Sequence, residues 1–214
     1  GTLNDLRNNG LKIGTVGKAL SGIDIKIAQD GEILMKGPNI MIGYYKNKEL
    51  TNKTIINDYL HTGDIGKLDN QGFLTITDRK KEMFKTSGGK YIAPAALESE
   101  FKQSRFIEQI MVVGEGEKMP AAFIQLHFDF IDEWAERHQH TITDITSDKK
   151  LINRIQEEIN FYNQKFGKWE QIKKFEITPD EWTIDAGHLT PTMKMKRKII
   201  KEKYKHLHEK IYNS

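Results

Sequence analysis

A Gly-Asp pair in the first third of the chain has the residue types needed to hold a sugar diol. The pair stands in the segment His61-Thr62-Gly63-Asp64. A carboxylate placed just past a glycine turn can accept two hydrogen bonds from vicinal hydroxyl groups, as a ribose presents them. A single Asp in such a place more often caps the turn through the local backbone. Taken alone, the segment therefore favours a turn-capping role for Asp64 over ribose binding.

A charged run and a glycine loop follow closely. The run is Asp78-Arg79-Lys80-Lys81, and the loop contains Ser87, Gly88 and Gly89. Four consecutive charged residues are typical of a solvated linker, whereas paired glycines let the backbone approach a ligand closely. The loop is not a P-loop, because the required Gly, Lys and Ser/Thr spacing is absent. A linker with a turn and a ligand-binding segment are equally favoured at this point.

A third candidate is Lys194, in the segment Thr190-Pro191-Thr192-Met193-Lys194. A Lys on a short loop before a helix is a mobile point charge that can contact a carboxylate and a phosphate at once. The commoner role for any one Lys in this position is a solvated helix start. Both interpretations stay open from the residues alone.

Two kinds of structure are expected to position these segments. Residues 1–77 form a β-rich module, in which Asp30-Gly31 makes a hairpin turn. Residues 78–81 form a hinge, and residues 82–214 form an α+β module. That module contains a helix starting at Pro94, a long helix capped by Ser147, and a charged final helix over 196–212. The predicted fold class is therefore α+β.

Composition excludes several classes of protein. The 214 residues are 37% hydrophobic and 29% charged, which is ordinary for a globular protein, and no apolar run is long enough to span a bilayer. The absence of Cys rules out disulfides and thiolate chemistry, and it fits a cytoplasmic location. The seven His provide no credible metal site, because His138 and His140, like His206 and His208, are spaced to diverge on a helix. No metal ligand is predicted.

Positive charge is concentrated near the C-terminus. From Pro191 onward there are eight Lys or Arg against Glu202 and Glu209. Such an excess indicates an anionic partner. A nucleic-acid-binding α+β module is therefore the alternative function, although Tyr204 and Tyr212 are the only rings available there for base stacking. The same segment could also contact an anionic membrane surface peripherally.

The four elements His-Thr-Gly-Asp, Asp-Arg-Lys-Lys, Ser-Gly-Gly-Lys and Thr-Pro-Thr-x-Lys-x-Lys-Arg occur in one order. As a set they resemble the adenylate-forming superfamily, which includes AMP-forming acyl-CoA synthetases, luciferase-like enzymes and peptide-synthetase adenylation domains. Within it the chain is most similar to bacterial long-chain fatty-acid CoA ligases. The resemblance runs from Gly14 to the final helix.

The resemblance implies roles for the nucleotide-binding residues and the hinge. Asp64 would bind the ribose hydroxyls of ATP, AMP and the acyl-adenylate, and Arg79 would contact the same nucleotide. Lys81 would be the hinge about which the C-terminal domain rotates between two half-reactions.

The resemblance also implies the catalytic group. Lys194 would reach the fatty-acid carboxylate and the α-phosphate during adenylation, and would offset the charge that develops there. After the rotation, Ser87, Gly88 and Gly89 would line the channel through which the thiol of CoA arrives.

The chain departs from the family pattern at two positions. Asp78 stands where many relatives have Gly, and Lys81 stands at a hinge position that is more often Asp. The family's phosphate-binding loop, its Mg²⁺ ligands and its fatty-acyl tunnel have no counterpart here, and are expected in an N-terminal domain absent from this sequence. The fragment alone is therefore predicted to be inactive.

Overall fold

The computed structural model describes residues 1–7 and 10–213 and confirms the α+β fold class. The strands are β1 Thr2–Leu3, β2 Lys18–Ala19, β3 Asp24–Ile27, β4 Glu32–Lys36, β5 Ile55–Ile56, β6 Tyr59–Leu68, β7 Leu74–Arg79, β8 Phe84–Lys85, β9 Tyr91–Ile92, β10 Ile107–Val113, β11 Ala121–Leu126 and β12 Lys174–Ile177. The helices are α1 Lys48–Thr54, α2 Pro94–Phe101, α3 Phe128–Arg137, α4 Lys149–Asn163, α5 Arg197–Lys203 and α6 Lys205–Asn213.

The chain divides into two compact units, an N-terminal unit over Gly1–Met83 and a C-terminal unit over Phe84–Ser214. The division falls two residues after Lys81, the last residue of the predicted hinge. The predicted limits at 77, 78–81 and 82 stay a prediction about how the parts move. Within the described residues, no helix is both long and apolar enough to cross a bilayer.

The N-terminal unit is built on a five-stranded antiparallel sheet. The strand order is β3-β4-β6-β5, and β7 pairs with β6. The hairpin predicted at Asp30-Gly31 is confirmed, because Ile27 pairs with Ile33 across the turn. Among the described residues of this unit, the only buried large apolar side chains are those of Ile33, Phe73 and Leu74.

Large apolar side chains in the N-terminal unit are mostly outside its core. Ile13 is 94% exposed, Ile42 102% and Tyr45 88%. Apolar surface of this kind normally marks a contact face. The N-terminal unit is therefore a sheet with little core of its own.

The C-terminal unit has a core on both faces of the sheet β10-β11-β12. Successive residues of the central strand β11 point to opposite faces, so Ala122 and Ile124 pack in one cluster while Ala121 and Phe123 pack in the other. Helices α2, α3 and α4 cover the first face, and α5 and α6 cover the second. This arrangement supplies the burial that stabilises an independent domain.

Three helical details differ from the sequence-based expectation. The cap of α4 is Asp148, whose carboxylate accepts from the Leu151 N–H at 2.8 Å, while the Ser147 hydroxyl donates to Asp144. The final helix is interrupted at Tyr204, which is 1% exposed and has its ring 6.1 Å from that of Phe123. Helix α3 was not predicted, because its Phe-rich start continues the apolar pattern of β11.

Candidate functional site

The segment predicted to bind ribose lies in a bulge of β6, and not at a turn as its glycine had suggested. His61 pairs with Leu34 and Ile65 pairs with Glu32, so the three residues between His61 and Ile65 face the single residue Ile33. Gly63 has a φ of +72°, which is the left-handed conformation that glycine adopts at no steric cost. The bulge lifts the Asp64 backbone out of the β4–β6 ladder and brings it against β7.

Asp64 and Arg79 are direct partners across β6 and β7. Arg79 Nε lies 2.8 Å from Asp64 Oδ1, although the contact lacks the alignment of a hydrogen bond. Asp64 Oδ1 therefore has no hydrogen-bond donor within the described residues. The Arg79 side chain is 63% exposed and that of Asp64 is 23% exposed. The pair thus consists of a carboxylate with one oxygen that accepts no hydrogen bond from the described part of the chain and a guanidinium that faces solvent.

The buried carboxylate of Glu32 contacts the residues next to this pair, Gly63 and Lys80. Its side chain is 5% exposed, and it accepts hydrogen bonds from the Gly63 N–H and from Lys80 Nζ at 2.9 and 2.8 Å. His61 Nδ1 is 2.9 Å from the same carboxylate. Burial raises the pKa of Glu32, but the hydrogen bonds from Lys80, His61 and Gly63 outweigh burial and leave the pKa below its usual value. Glu32 therefore stays ionised and holds the bulge in place.

Lys80 links the bulge to the end of β7. Its Nζ contacts Asp30 at 2.7 Å as well as Glu32, and hydrogen bonds to Asp30 and then Glu32 raise the pKa of Lys80. Its backbone N–H donates to Gly63 O at 2.8 Å. The exposed Lys81 comes immediately after this anchored residue, in a turn. A pivot at Lys81 would thus start where the tight contacts to the sheet end.

In the C-terminal unit, Ser87, Gly88 and Gly89 form the exposed turn between β8 and β9. Gly89 has a φ of +75°, and its N–H donates to Thr86 O at 2.9 Å. The Ser87 N–H donates to Glu117 O at 2.8 Å, which ties one side of the turn to a neighbouring loop. The turn presents backbone and little side chain, which suits close approach by a ligand.

Lys194 lies on a tight hairpin turn. The Thr190 N–H donates to Lys194 O at 2.8 Å, and the Lys194 N–H donates to Thr190 Oγ1 at 3.0 Å. Leu189 and Met195 pair as a β-bridge, and the Lys196 N–H donates to His188 O at 2.8 Å. The Lys194 side chain itself is exposed. Lys194 is thus a solvent-facing cation on a constrained backbone.

The arm that begins the hairpin is buried at His188, which is 2% exposed. Lys203 Nζ lies 3.1 Å from His188 Nε2 and 2.8 Å from Asp180 Oδ2. Burial, and then the charge of Lys203, lower the pKa of His188. A neutral imidazole therefore accepts from the ammonium group at the root of the hairpin.

The sequence pointed to Asp64, Arg79, Lys81, Lys194 and the Ser87-Gly88-Gly89 turn, and the structure brings Asp64 and Arg79 together. Sequence reasoning missed Glu32 and His188, and it gave Lys80 no role beyond its place in the predicted hinge. An acid directly after a hairpin turn is ordinarily exposed, so Glu32 had no distinguishing signal. No group of three or more His, Cys, Asp or Glu converges into a metal site in ranges 1–7 and 10–213.

A family model, the AMP-binding enzyme C-terminal domain, matches residues 82–214. The chain is 41% identical over 209 residues to the long-chain-fatty-acid–CoA ligase FadD15 of Mycobacterium tuberculosis. The aligned region covers 96% of this chain and 35% of the relative. The chain therefore spans about a third of the length of such curated relatives.

Solved structures show the same architecture. The o-succinylbenzoate–CoA synthetase of Bacillus subtilis, in complex with its acyl-adenylate intermediate, is 26% identical with a TM-score of 0.65, over 89% of this chain and 36% of that one. The adenylation domain of a Mycobacterium chelonae carboxylate reductase is 19% identical with a TM-score of 0.73, over 95% and 34%. The second likeness shows the fold alone.

Proposed function

Because this chain belongs to the AMP-binding enzyme C-terminal domain family, we propose that it is the C-terminal part of an AMP-forming long-chain fatty-acid–CoA ligase. The whole protein would join a fatty acid to CoA through an acyl-adenylate, releasing AMP and pyrophosphate. The relative FadD15 supports the substrate class by its name and by its 41% identity across nearly the whole chain. The alternative of a nucleic-acid-binding module loses its main support, because five of the eight C-terminal cations have carboxylate partners. These are Arg197, Lys201, Lys203, Lys205 and Lys210.

The Asp64–Arg79 pair carries the proposal. Asp64 would accept hydrogen bonds from the ribose hydroxyls of ATP and of the acyl-adenylate through the part of its side chain that stays exposed, since that side chain is 23% exposed while Oδ1 itself is buried against Arg79. The exposed guanidinium of Arg79 would contact the same nucleotide. Glu32 and Lys80 keep the bulge and the end of β7 in register while the ligand exchanges.

Lys194 would serve the first half-reaction. As the fatty-acid carboxylate attacks the α-phosphorus of ATP, a new C–O–P linkage forms, the bond to pyrophosphate breaks, and negative charge develops on the phosphoryl oxygens. The Lys194 ammonium group would lie against those oxygens and stabilise that charge. The short hairpin limits the motion of the Lys194 backbone, so less positional freedom is lost when it engages.

The second half-reaction would use another face of the C-terminal unit. A rotation at Lys81 would withdraw Lys194 and bring the Ser87-Gly88-Gly89 turn to the nucleotide. The CoA thiolate would then attack the acyl carbon and displace AMP. The backbone-rich surface of the turn is suited to lining a narrow channel for CoA.

The remaining machinery would lie in the part of the protein outside this chain. We assign to it the phosphate-binding loop, the Mg²⁺ ligands and the acyl pocket. The exposed apolar side chains of the N-terminal unit, Ile13, Ile42 and Tyr45 among them, support a large covering domain.

The test separates the two half-reactions in the full-length enzyme. Lys194→Ala is expected to lower pyrophosphate release by about 100-fold or more, because an oriented charge on the transition state is lost. Thioester formation from preformed acyl-adenylate should be largely unchanged. Lys198→Ala removes an exposed cation from the same segment and serves as the control. An equal loss in both half-reactions would remove the role assigned to Lys194.

We also propose that the basic C-terminal segment contacts an anionic membrane surface. The apolar face of α6 is used in the core through Ile211, so any such contact would be electrostatic. Flotation with vesicles of neutral or anionic lipid would decide. Equal flotation with both would exclude it.

A further inference from the structure

At Val112, on the β10 edge of the C-terminal sheet, two side chains take the place of a neighbouring strand. Val112 lies on the edge strand β10, and its N–H donates to Glu98 Oε1 at 2.7 Å. The Val112 carbonyl accepts from Arg197 Nη1 at 3.4 Å. Arg197 Nη2 and Glu98 Oε2 then form an ion pair. The pair thus satisfies both backbone groups that Val112 presents at this edge.

Burial restricts the positions that the two charged side chains can adopt. The side chain of Glu98 is 7% exposed and that of Arg197 is 24% exposed. A charge buried to this extent is costly unless its partner is present and well oriented. The guanidinium of Arg197 therefore has one strongly favoured position against helix α2 and strand β10.

The position of the Arg197 guanidinium fixes where the Lys194 hairpin joins helix α5. Arg197 is the first residue of α5, and the residue before it, Lys196, closes the hairpin through its hydrogen bond to His188 O. Only two residues separate Arg197 from Lys194. Displacement of the guanidinium would therefore move the hairpin relative to the sheet.

We propose that Glu98 and Arg197 are positioning residues for Lys194, and that their ion pair at Val112 holds the Lys194 hairpin in the orientation needed for adenylation. This inference rests on the proposed function. Neither residue contacts substrate in this scheme. Their influence should reach only the half-reaction in which Lys194 acts.

The experiment compares Glu98→Gln, Arg197→Lys and Glu100→Gln in the full-length enzyme. Gln at 98 can still accept from the Val112 N–H but loses the charge facing Arg197. Lys at 197 keeps a charge but loses the second donor for the Val112 carbonyl. Glu100 lies on the same helix and pairs with Lys165, so its variant controls for loss of an ion pair at α2.

Glu98→Gln is expected to slow pyrophosphate release by about 10- to 100-fold, since small misplacements of catalytic groups have effects of that size. Thioester formation from preformed acyl-adenylate should stay near the wild-type rate. Arg197→Lys should slow pyrophosphate release by a smaller factor and likewise leave thioester formation unchanged. Glu100→Gln should change neither rate. Tryptophan fluorescence on heating would identify any variant that fails to fold, in which case Arg197→Lys carries the test.

The outcomes separate this inference from the proposed function. If Lys194→Ala spares adenylation, the role proposed for Lys194 is wrong, and the positioning role of Glu98 and Arg197 is wrong with it. If Lys194→Ala is selective but the Glu98 and Arg197 variants reduce both half-reactions equally, or neither, the positioning role is wrong. A selective loss in Glu100→Gln of the same size would likewise overturn it.

Discussion

At the scale of single residues, strand register places Asp64 opposite Arg79. The two are cross-strand partners on β6 and β7, while the buried Glu32 holds the neighbouring Gly63 from the other side. The orientation of the pair is thus fixed by backbone pairing, while the Arg79 side chain is exposed and the Asp64 side chain is partly exposed. This is the arrangement expected where a rigid element must present polar groups to a ligand.

Asp64→Asn in the full-length enzyme is expected to raise the KM for ATP by about 10- to 100-fold, since hydrogen bonds to a charged group contribute about 1.5–3 kcal/mol. The kcat should change less, because the ribose lies away from the reacting phosphorus. Asp58→Asn is the matched control, since Asp58 is 80% exposed and pairs only with Lys36 in the described residues. Steady-state kinetics with varied ATP would show the contrast, and an unchanged KM would contradict ribose binding by Asp64.

His188 should make the stability of the C-terminal unit sensitive to acid. Its pKa is lowered in the folded state by burial and by Lys203, while Asp180 opposes that effect and Tyr204 packs beside it. Below about pH 6.5 the unfolded chain then binds more protons than the folded chain, so the free energy of unfolding falls as the pH falls. Above that pH the imidazole is neutral in both states and the contribution is constant.

The measurement is thermal unfolding followed by tryptophan fluorescence, which reports this unit alone because all three Trp lie within it. Between about pH 7.5 and about pH 5.5, the Tm of wild type should fall more than that of His188→Gln, whose side chain does not titrate. Parallel curves for the two proteins would rule out His188 as the source.

At the scale of elements, the Lys194 hairpin has a strained residue at its tip. Met193 has a φ of +59°, which costs a non-glycine residue about 1–2 kcal/mol, while Asn adopts this conformation more readily. Met193 is 57% exposed, so little apolar burial is lost on substitution. The turn is thus held in place by its hydrogen bonds against a local preference.

Met193→Asn is therefore expected to increase the free energy of unfolding by about 0.5–1 kcal/mol, and Met193→Val to decrease it, because a β-branched residue fits this conformation poorly. Denaturant unfolding of both variants would measure the difference. Shifts in the same direction would show that backbone conformation does not set the stability of the turn.

The sequence predicted the elements whose signals are local. Pro94 at the start of α2, the Asp30-Gly31 hairpin and the apolar face of α4 through Leu151 and Ile155 are all confirmed. Capping by Ser147 was wrong, because the next residue, Asp148, is an equally good cap and occupies the position. Local signals determine the type of an element better than its end.

Features that depend on distant residues could not be predicted. Glu98 and Arg197 are separated by 99 positions, and nothing near either residue indicates the other. The contact of Asp64 with Arg79 required the register of β6 and β7, which shifts between Ile65 and Gly66. The candidate residues were recognisable as a set of motifs, whereas the groups that hold them became visible only in the fold.

At the scale of the whole molecule, the two units differ in how much core they contain. The C-terminal unit has clusters on both faces of its sheet, whereas the described part of the N-terminal unit buries few large apolar side chains. Burial of apolar surface is the main source of stability. The N-terminal unit should therefore depend on the covering domain proposed above.

Hydrogen exchange would test this dependence. Peptides from residues 1–83 are expected to exchange faster in this chain alone than in the full-length protein, while peptides from 84–214 should exchange at similar rates in both. Equal protection of residues 1–83 in the two proteins would show that the N-terminal unit is stable by itself.

The bulge around Gly63 has a consequence for how the proposed nucleotide site could be lost or gained. It adds two residues to β6 relative to β4. Since side chains alternate with a period of two, an even insertion leaves every flanking residue of β6 on its original face of the sheet. A two-residue deletion there would remove the proposed ribose contact while preserving the inward and outward pattern of the strand, so the proposed chemistry is separable from the architecture that carries it.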